Sequence, residues 1–228
     1  MLRLITDFDG PIMDVSERYY RVYQLCLELV QRPNQEIRVL PKQEFWQMKR
    51  SRTPETQIGI VSGLDKTQAA EFAQNRRKTV HTLPYLVYDQ PVPGAVETLE
   101  RVQQAGVDLV VMTMRRDREL DEAFSRCDLA KFFPPDKRYC LPNDYVKTGD
   151  TKDKPLLMAK AIAELPPVSD VWMVGDTEAD LIAAKTHGVK VMGALCGIRD
   201  RAQLEMHQPD LIVTNLGEAV DILLSSRT

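Results

Sequence analysis

The sequence predicts an α/β fold, a doubly wound parallel sheet with a small helical domain inserted into it, and three observations predict it. From about residue 95 onward, strand-like apolar runs alternate with amphipathic helical runs. Such alternation puts parallel strands into one sheet joined by helical crossovers. A further strand-like run, Leu2-Arg3-Leu4-Ile5-Thr6, opens the chain far from the others. Between them, residues 15–90 show helical spacing and no strong strand. The predicted division is therefore an α/β core of residues 1–14 and 91–228, with a helical cap of residues 15–90 inserted after the first strand.

The first strand ends at Asp7-Phe8-Asp9-Gly10-Pro11, a turn-forming sequence. From Ser16 to about Val30, the residues Tyr19, Val22, Tyr23, Cys26, Leu29 and Val30 recur at helical spacing, and Ser16 is a candidate N-cap. Helices are also expected over about 42–48 and 65–79, with a polar, loop-like stretch over 49–59. The break Gln90-Pro91-Val92-Pro93-Gly94 precedes the alternating region. There the expected elements are a helix over 95–104, a strand over 107–112, helices over 118–127 and 155–165, and a strand over 170–174. A helix over 178–186 stopped by Gly188, strands over 189–195 and 211–214, and a last helix over 218–224 complete the series.

Composition narrows the classes of function. Of 228 residues, 43% are hydrophobic and 28% charged, the balance of an ordinary globular protein. The net charge of -3 argues against broad nucleic-acid binding, which uses a basic face. An anionic ligand would have to be held by local positive groups, backbone N–H donors and a bound cation. No apolar run approaches the ~18 residues of a membrane span and no signal-like region opens the chain, so a cytoplasmic protein without a membrane partner is expected. Cys26, Cys127, Cys140 and Cys196 lack paired spacing and read as free thiols, in keeping with a reducing compartment.

In an open parallel sheet, ligands gather at the carboxyl ends of the strands. Asp7 and Asp9 follow the first strand, Thr113 follows Val110-Val111-Met112, and Asp176 and Asp180 follow Val171-Trp172-Met173-Val174-Gly175. Carboxylates brought together without a partner would repel and take up protons, so the pattern implies a cation. Oxygen-only ligands favour Mg²⁺.

Taken in order, Asp7-Phe8-Asp9-Gly10, Thr113 after its apolar run, a downstream lysine and Gly175-Asp176-Thr177-Glu178-Ala179-Asp180 resemble the four motifs of the haloacid dehalogenase-like hydrolase superfamily. Pro93-Gly94 and the run Ala183-Ala184-Lys185-Thr186-His187-Gly188 are similar to its phosphoglycolate phosphatase-like branch, as is a helical cap between the first two motifs. The resemblance implies a Mg²⁺-dependent phosphohydrolase acting on a small phosphorylated metabolite. It assigns Asp7 as nucleophile and Asp9 as acid/base. The Asp7 carboxylate, the Asp9 backbone carbonyl and Asp176 would hold Mg²⁺, with Asp180 in direct contact or just behind. Thr113 would hydrogen-bond a phosphoryl oxygen, and the lysine would neutralise the nucleophile and the transferring group.

For that lysine, the family's Lys followed three positions later by Pro selects Lys152 in Lys152-Asp153-Lys154-Pro155, with Lys154 as the alternative. Two departures stand out: Pro11 replaces the threonine usual after the first motif, and Met114 replaces a common asparagine. Arg115 and Arg116 read as surface charge, and Lys49, Arg50 and Arg52 near Trp46 as a solvated basic loop. A phosphomutase similar to β-phosphoglucomutase and a non-catalytic phosphometabolite-binding protein are the competing readings.

Overall fold

The structure, a computed structural model, describes residues 1–225. Its contacts divide the chain into two units, Met1–Asp14 with the chain from Gln90 onward, and Val15–Asp89. The first unit begins with β1 (Leu2–Thr6) and the short β2 (Met13–Asp14). The second holds α1 (Ser16–Val30), α2 (Lys42–Arg50), α3 (Glu55–Val61), α4 (Lys66–Thr79) and α5 (Leu83–Leu86). The first unit resumes with β3 (Gln90–Pro91), α6 (Ala95–Gln104), β4 (Asp108–Arg116) and α7 (Asp117–Cys127). Two 3-10 turns lead into β5 (Arg138–Leu141), followed by α8 (Asp150–Glu164), β6 (Asp170–Gly175), α9 (Glu178–Thr186) and β7 (Lys190–Ala194). The chain continues with α10 (Arg201–Glu205), β8 (Leu211–Val213) and α11 (Leu216–Ser225).

Six strands form one sheet in the order β5-β4-β1-β6-β7-β8, and every pairing in it is parallel. All five residues of β1 are buried, as expected of a strand covered on both faces. Its alternation assigns the two faces. Ile5 joins one apolar cluster with Val110, Met158, Met173 and Leu181, drawn from β4, α8, β6 and α9. Leu2 and Leu4 lie with Val102, Val220 and Leu223, which belong to α6 and α11. The sheet is thus doubly wound. Strand order reverses beside β1, since the chain runs out through β4 and β5 on one side and through β6, β7 and β8 on the other. Such a switch point is where open α/β sheets bind ligands.

Several expected elements differ in extent. The loop-like stretch over 49–59 contains most of α3, whose Ile58 and Gly59 are buried. The helix expected from residue 155 starts at Asp150 and holds Pro155 inside its second turn, where the missing N–H leaves the Thr151 carbonyl without its usual helical donor. The strand β5, the helices α5 and α10 and the β2–β3 pair were not expected. No helix among the described residues is long and apolar enough to cross a membrane.

The helical unit has a core of its own, with Val22, Tyr23, Cys26, Phe45, Ile58 and Phe72 among its buried residues. Asp65 caps α4 by accepting from the Gln68 N–H at 2.9 Å, while the Gln68 side chain accepts from the Asp65 N–H at 3.2 Å. This reciprocal capping box fixes the helix start. A buried ion pair joins Arg18 to Asp89 at 3.1 Å, and the buried Arg76 pairs with the partly exposed Glu55 at 2.7 Å. Tyr19, Tyr23 and Trp46 pack in or against this core, and Lys49 pairs with Glu55 rather than standing in a free loop.

Candidate active site

The register brings three strand ends to one edge. Thr6 on β1 stands level with Val111 on β4 and with Val174 on β6. Asp7 lies one residue beyond that level, and Thr113 and Asp176 two residues beyond it. The Asp7 N–H donates to the Val174 carbonyl at 2.8 Å, extending the β1–β6 pairing by one step and holding the Asp7 backbone in line with the strand. The turn that follows closes tightly, with the Ile12 and Met13 N–H groups donating to the Phe8 carbonyl at 3.2 and 2.9 Å. Gly10 has φ of 96° and sits against Asp176, whose carboxylate a Cβ at residue 10 would overlap. Only glycine meets both conditions. Pro11 follows it and is buried.

Asp7, Asp176 and Asp180 are buried together, each offering one carboxylate oxygen within 4.8 Å of the others. Lys154 is equally buried, with Nζ 3.0 Å from Asp7 Oδ1 and in contact with Asp180 Oδ1. Asp180 Oδ2 accepts from the Thr177 N–H at 2.9 Å and from its hydroxyl at 2.7 Å. Asp180 therefore links the start of α9 to Lys154. Asp176 Oδ2 accepts from the Ile198 N–H at 2.6 Å, while its Oδ1 is buried and takes no hydrogen bond from any described residue.

Burial followed by the charge of Asp180 pushes the Asp7 pKa well above the carboxylate range, against the lowering effect of Lys154. Burial and Asp180 likewise push Asp176 up to about 7. Burial alone would depress the Lys154 pKa, but Asp180 and Asp7 outweigh it and leave the ammonium above its ordinary value. One ammonium against three buried carboxylates leaves a deficit of positive charge. A hard divalent cation with oxygen ligands fits that deficit and the unmatched Asp176 Oδ1.

Of the residues singled out in the sequence, Asp7, Asp176 and Asp180 are brought together, and Thr113 lies buried at the same edge on β4. The Asp9 carboxylate lies outside the three-carboxylate group and pairs with Arg115, whose Nη2 is 2.7 Å from Asp9 Oδ1. The choice of Lys152 is corrected: that residue is exposed, and Lys154 occupies the place beside Asp7. The reason is helical phase. Because α8 already runs from Asp150, Lys154 shares a buried face with Leu157, Met158 and Ala161, whereas Lys152 lies roughly 200° around the helix.

Two further participants escaped sequence reasoning. Arg115 is buried rather than surface charge. The segment after β7 supplies the Ile198 N–H, and Gly197 beside it packs so closely that a Cβ there would overlap the Asp176 carboxylate. The glycine in Cys196-Gly197-Ile198, just beyond a strand, was the available signal.

Fold and site together define a class: a Rossmann-like α/β enzyme with an acidic, lysine-paired centre at its switch point. The particular family follows from comparison. Residues 3–188 match the haloacid dehalogenase-like hydrolases, and the chain belongs to that family. A phosphoglycolate phosphatase of Pseudomonas fluorescens is 24% identical over 92% of this chain and 75% of its own length. A phosphorylated carbohydrates phosphatase of Thermotoga maritima is 26% identical over 90% of this chain and 91% of its own length. The solved structure of a haloacid dehalogenase-like family hydrolase from Streptococcus pneumoniae has the same fold, with a TM-score of 0.67 at 18% identity over 97% of both chains.

Proposed function

We propose that this enzyme, a phosphatase of the haloacid dehalogenase-like family, hydrolyses phosphate monoesters of small metabolites through an aspartyl-phosphate on Asp7. The observation that carries this reading is the contact between Lys154 and Asp7 Oδ1, 3.0 Å long, at the carboxyl end of the central strand. A buried carboxylate is nucleophilic only while ionised; Lys154 favours that form against burial and Asp180, and a bound cation would supply the remaining positive charge.

In the first step an Asp7 oxygen attacks phosphorus, the bond from phosphorus to the alcohol oxygen breaks, and Asp9 gives its proton to that oxygen. In the second, Asp9 as carboxylate takes a proton from water while the water oxygen attacks phosphorus. The bond from Asp7 to phosphorus then breaks, orthophosphate leaves, and Asp9 is again protonated. The Thr113 hydroxyl donates to a phosphoryl oxygen, and Lys154 offsets the charge that develops beside Asp7. Asp7, Asp176 and the Asp9 backbone carbonyl would hold Mg²⁺, with Asp180 holding Lys154 and Thr177 behind them. When bound, the metal supplies Lewis-acid polarisation of the phosphoryl group. The names of the two relatives support phosphoglycolate or sugar phosphates as the substrate class.

Release of orthophosphate from a panel of small phosphorylated metabolites in Mg²⁺ tests the reading. The expected result is turnover of at least one of them, reduced on the order of 10⁴-fold or more by Asp7→Asn. Turnover that survives Asp7→Asn overturns it.

A further inference from the structure

Arg115 stands at a junction of the site that neither the family match nor the sequence motifs assign. It is the penultimate residue of β4, and its side chain is 2% exposed. The guanidinium carbon lies 4.9 Å from the centre of the Phe8 ring, and Nη1 reaches the Glu119 carbonyl at 3.4 Å. Nε and Nη2 both point to Asp9 Oδ1, at 2.8 and 2.7 Å. Its backbone N–H donates to Thr113 Oγ1 at 3.2 Å. One residue therefore touches the acid/base carboxyl with its side chain and the phosphate-binding hydroxyl with its backbone.

We propose that Arg115 is a positioning residue that presents Asp9 for proton transfer with the leaving-group oxygen, an inference that rests on the acid/base reading of Asp9. Two N–H groups of one planar guanidinium converge on Oδ1 and hold that oxygen in place. Stacking on Phe8, burial and the Glu119 carbonyl hold the guanidinium plane, and that plane sets the rotation of the Asp9 carboxyl. A lysine would carry the charge without the planar fork that makes both contacts. Its contact with Thr113 runs through the backbone, so side-chain replacement leaves that hydrogen bond available.

This role has a signature that simple structural support lacks. An alkyl phosphate expels a poor leaving group that needs the proton, whereas p-nitrophenyl phosphate expels a stable anion that does not. The test measures kcat/KM of the Mg²⁺-loaded enzyme on the best alkyl phosphate of the panel and on p-nitrophenyl phosphate, for wild type, Arg115→Met, Arg115→Lys, Asp9→Asn and the Arg115→Met/Asp9→Asn double variant. Arg115→Met is expected to lose about 10²-fold on the alkyl ester, the cost of a small misplacement of a catalytic group, and only a few-fold on the aryl ester. The double variant is expected to be no slower than Asp9→Asn alone. Equal losses on both substrates, or independent losses that multiply in the double variant, overturn the proposal. Should Arg115→Met fail to fold, Arg115→Lys carries the comparison: selective loss on the alkyl ester supports the proposal, and wild-type rates on both esters overturn it. Wild-type turnover that vanishes in Asp7→Asn while Arg115 variants match wild type rejects this inference alone; turnover unaffected by Asp7→Asn rejects the underlying reading.

Discussion

Lys152 and Lys154 differ by two positions in sequence and by their whole environment in the fold. One is in solvent, and the other is buried between Asp7 and Asp180. Lys154→Met is expected to lower kcat/KM by about 10²- to 10³-fold, the scale of losing one preorganised electrostatic partner. Lys152→Met is expected to stay within a few-fold of wild type, and steady-state kinetics of both variants checks the pair. Gly197→Ala probes packing at the same scale. Its Cβ would displace the Asp176 carboxylate and disturb the Ile198 contact, so Mg²⁺ affinity measured by titration calorimetry should fall while the helical unit keeps its structure. The carboxylates were legible in the sequence because each follows an apolar run that reads as a strand. The lysine was not, since a motif spacing tied to Pro155 says nothing of where α8 begins. Arg115 was hidden for a related reason: two adjacent arginines at a strand end look solvated until Phe8 and Asp9 are seen beside them.

At the scale of elements, α8 owes its start to the turn before it. Asp153 accepts from the Thr148 N–H at 2.8 Å, the Thr148 hydroxyl at 2.6 Å, the Gly149 N–H at 3.1 Å and the Tyr145 hydroxyl at 3.2 Å. Burial opposes the charged form of this carboxyl, yet the Thr148 and Gly149 hydrogen bonds hold its pKa below the ordinary range. Asp153→Ala leaves several of these donors unmatched and is expected to cost about 1–3 kcal/mol in urea unfolding. Because Asp153 precedes Lys154, the same change should also reduce turnover. The helix α9 and the strand β6 were legible to within a residue, since an uninterrupted apolar run meets a Thr177 start and a Gly188 stop. By contrast, β5 is four residues long and half-buried in alternation, and α3 lies in a polar stretch with only Ile58 and Gly59 buried. Short elements of this kind are defined by tertiary partners more than by local pattern.

For the whole molecule, the doubly wound class followed from alternation alone, while the strand order and the switch point beside β1 required the structure. The buried acidic centre couples stability to pH and, on the proposed Mg²⁺-binding role, to the metal. The metal-free folded protein binds more protons than the unfolded chain between about pH 4 and pH 7, because Asp7 and Asp176 titrate above their unfolded values. Its stability contribution from these groups is present below the unfolded carboxylate pKa and is lost as pH rises through about 7. Thermal unfolding in chelator should therefore show Tm falling from pH 5 to neutrality relative to Asp176→Asn, with the gain from added Mg²⁺ growing over the same interval. A chelated wild type that tracks Asp176→Asn at every pH would contradict this coupling. The central claim is that Asp7 carries the phosphoryl group between the two steps. It is tested most directly by acid-quenching a single turnover and measuring the mass of the peptide that contains Asp7. The expected result is a transient phosphoryl adduct on Asp7 that forms and decays at rates compatible with turnover; a full turnover of wild-type enzyme with the adduct on another residue would contradict it.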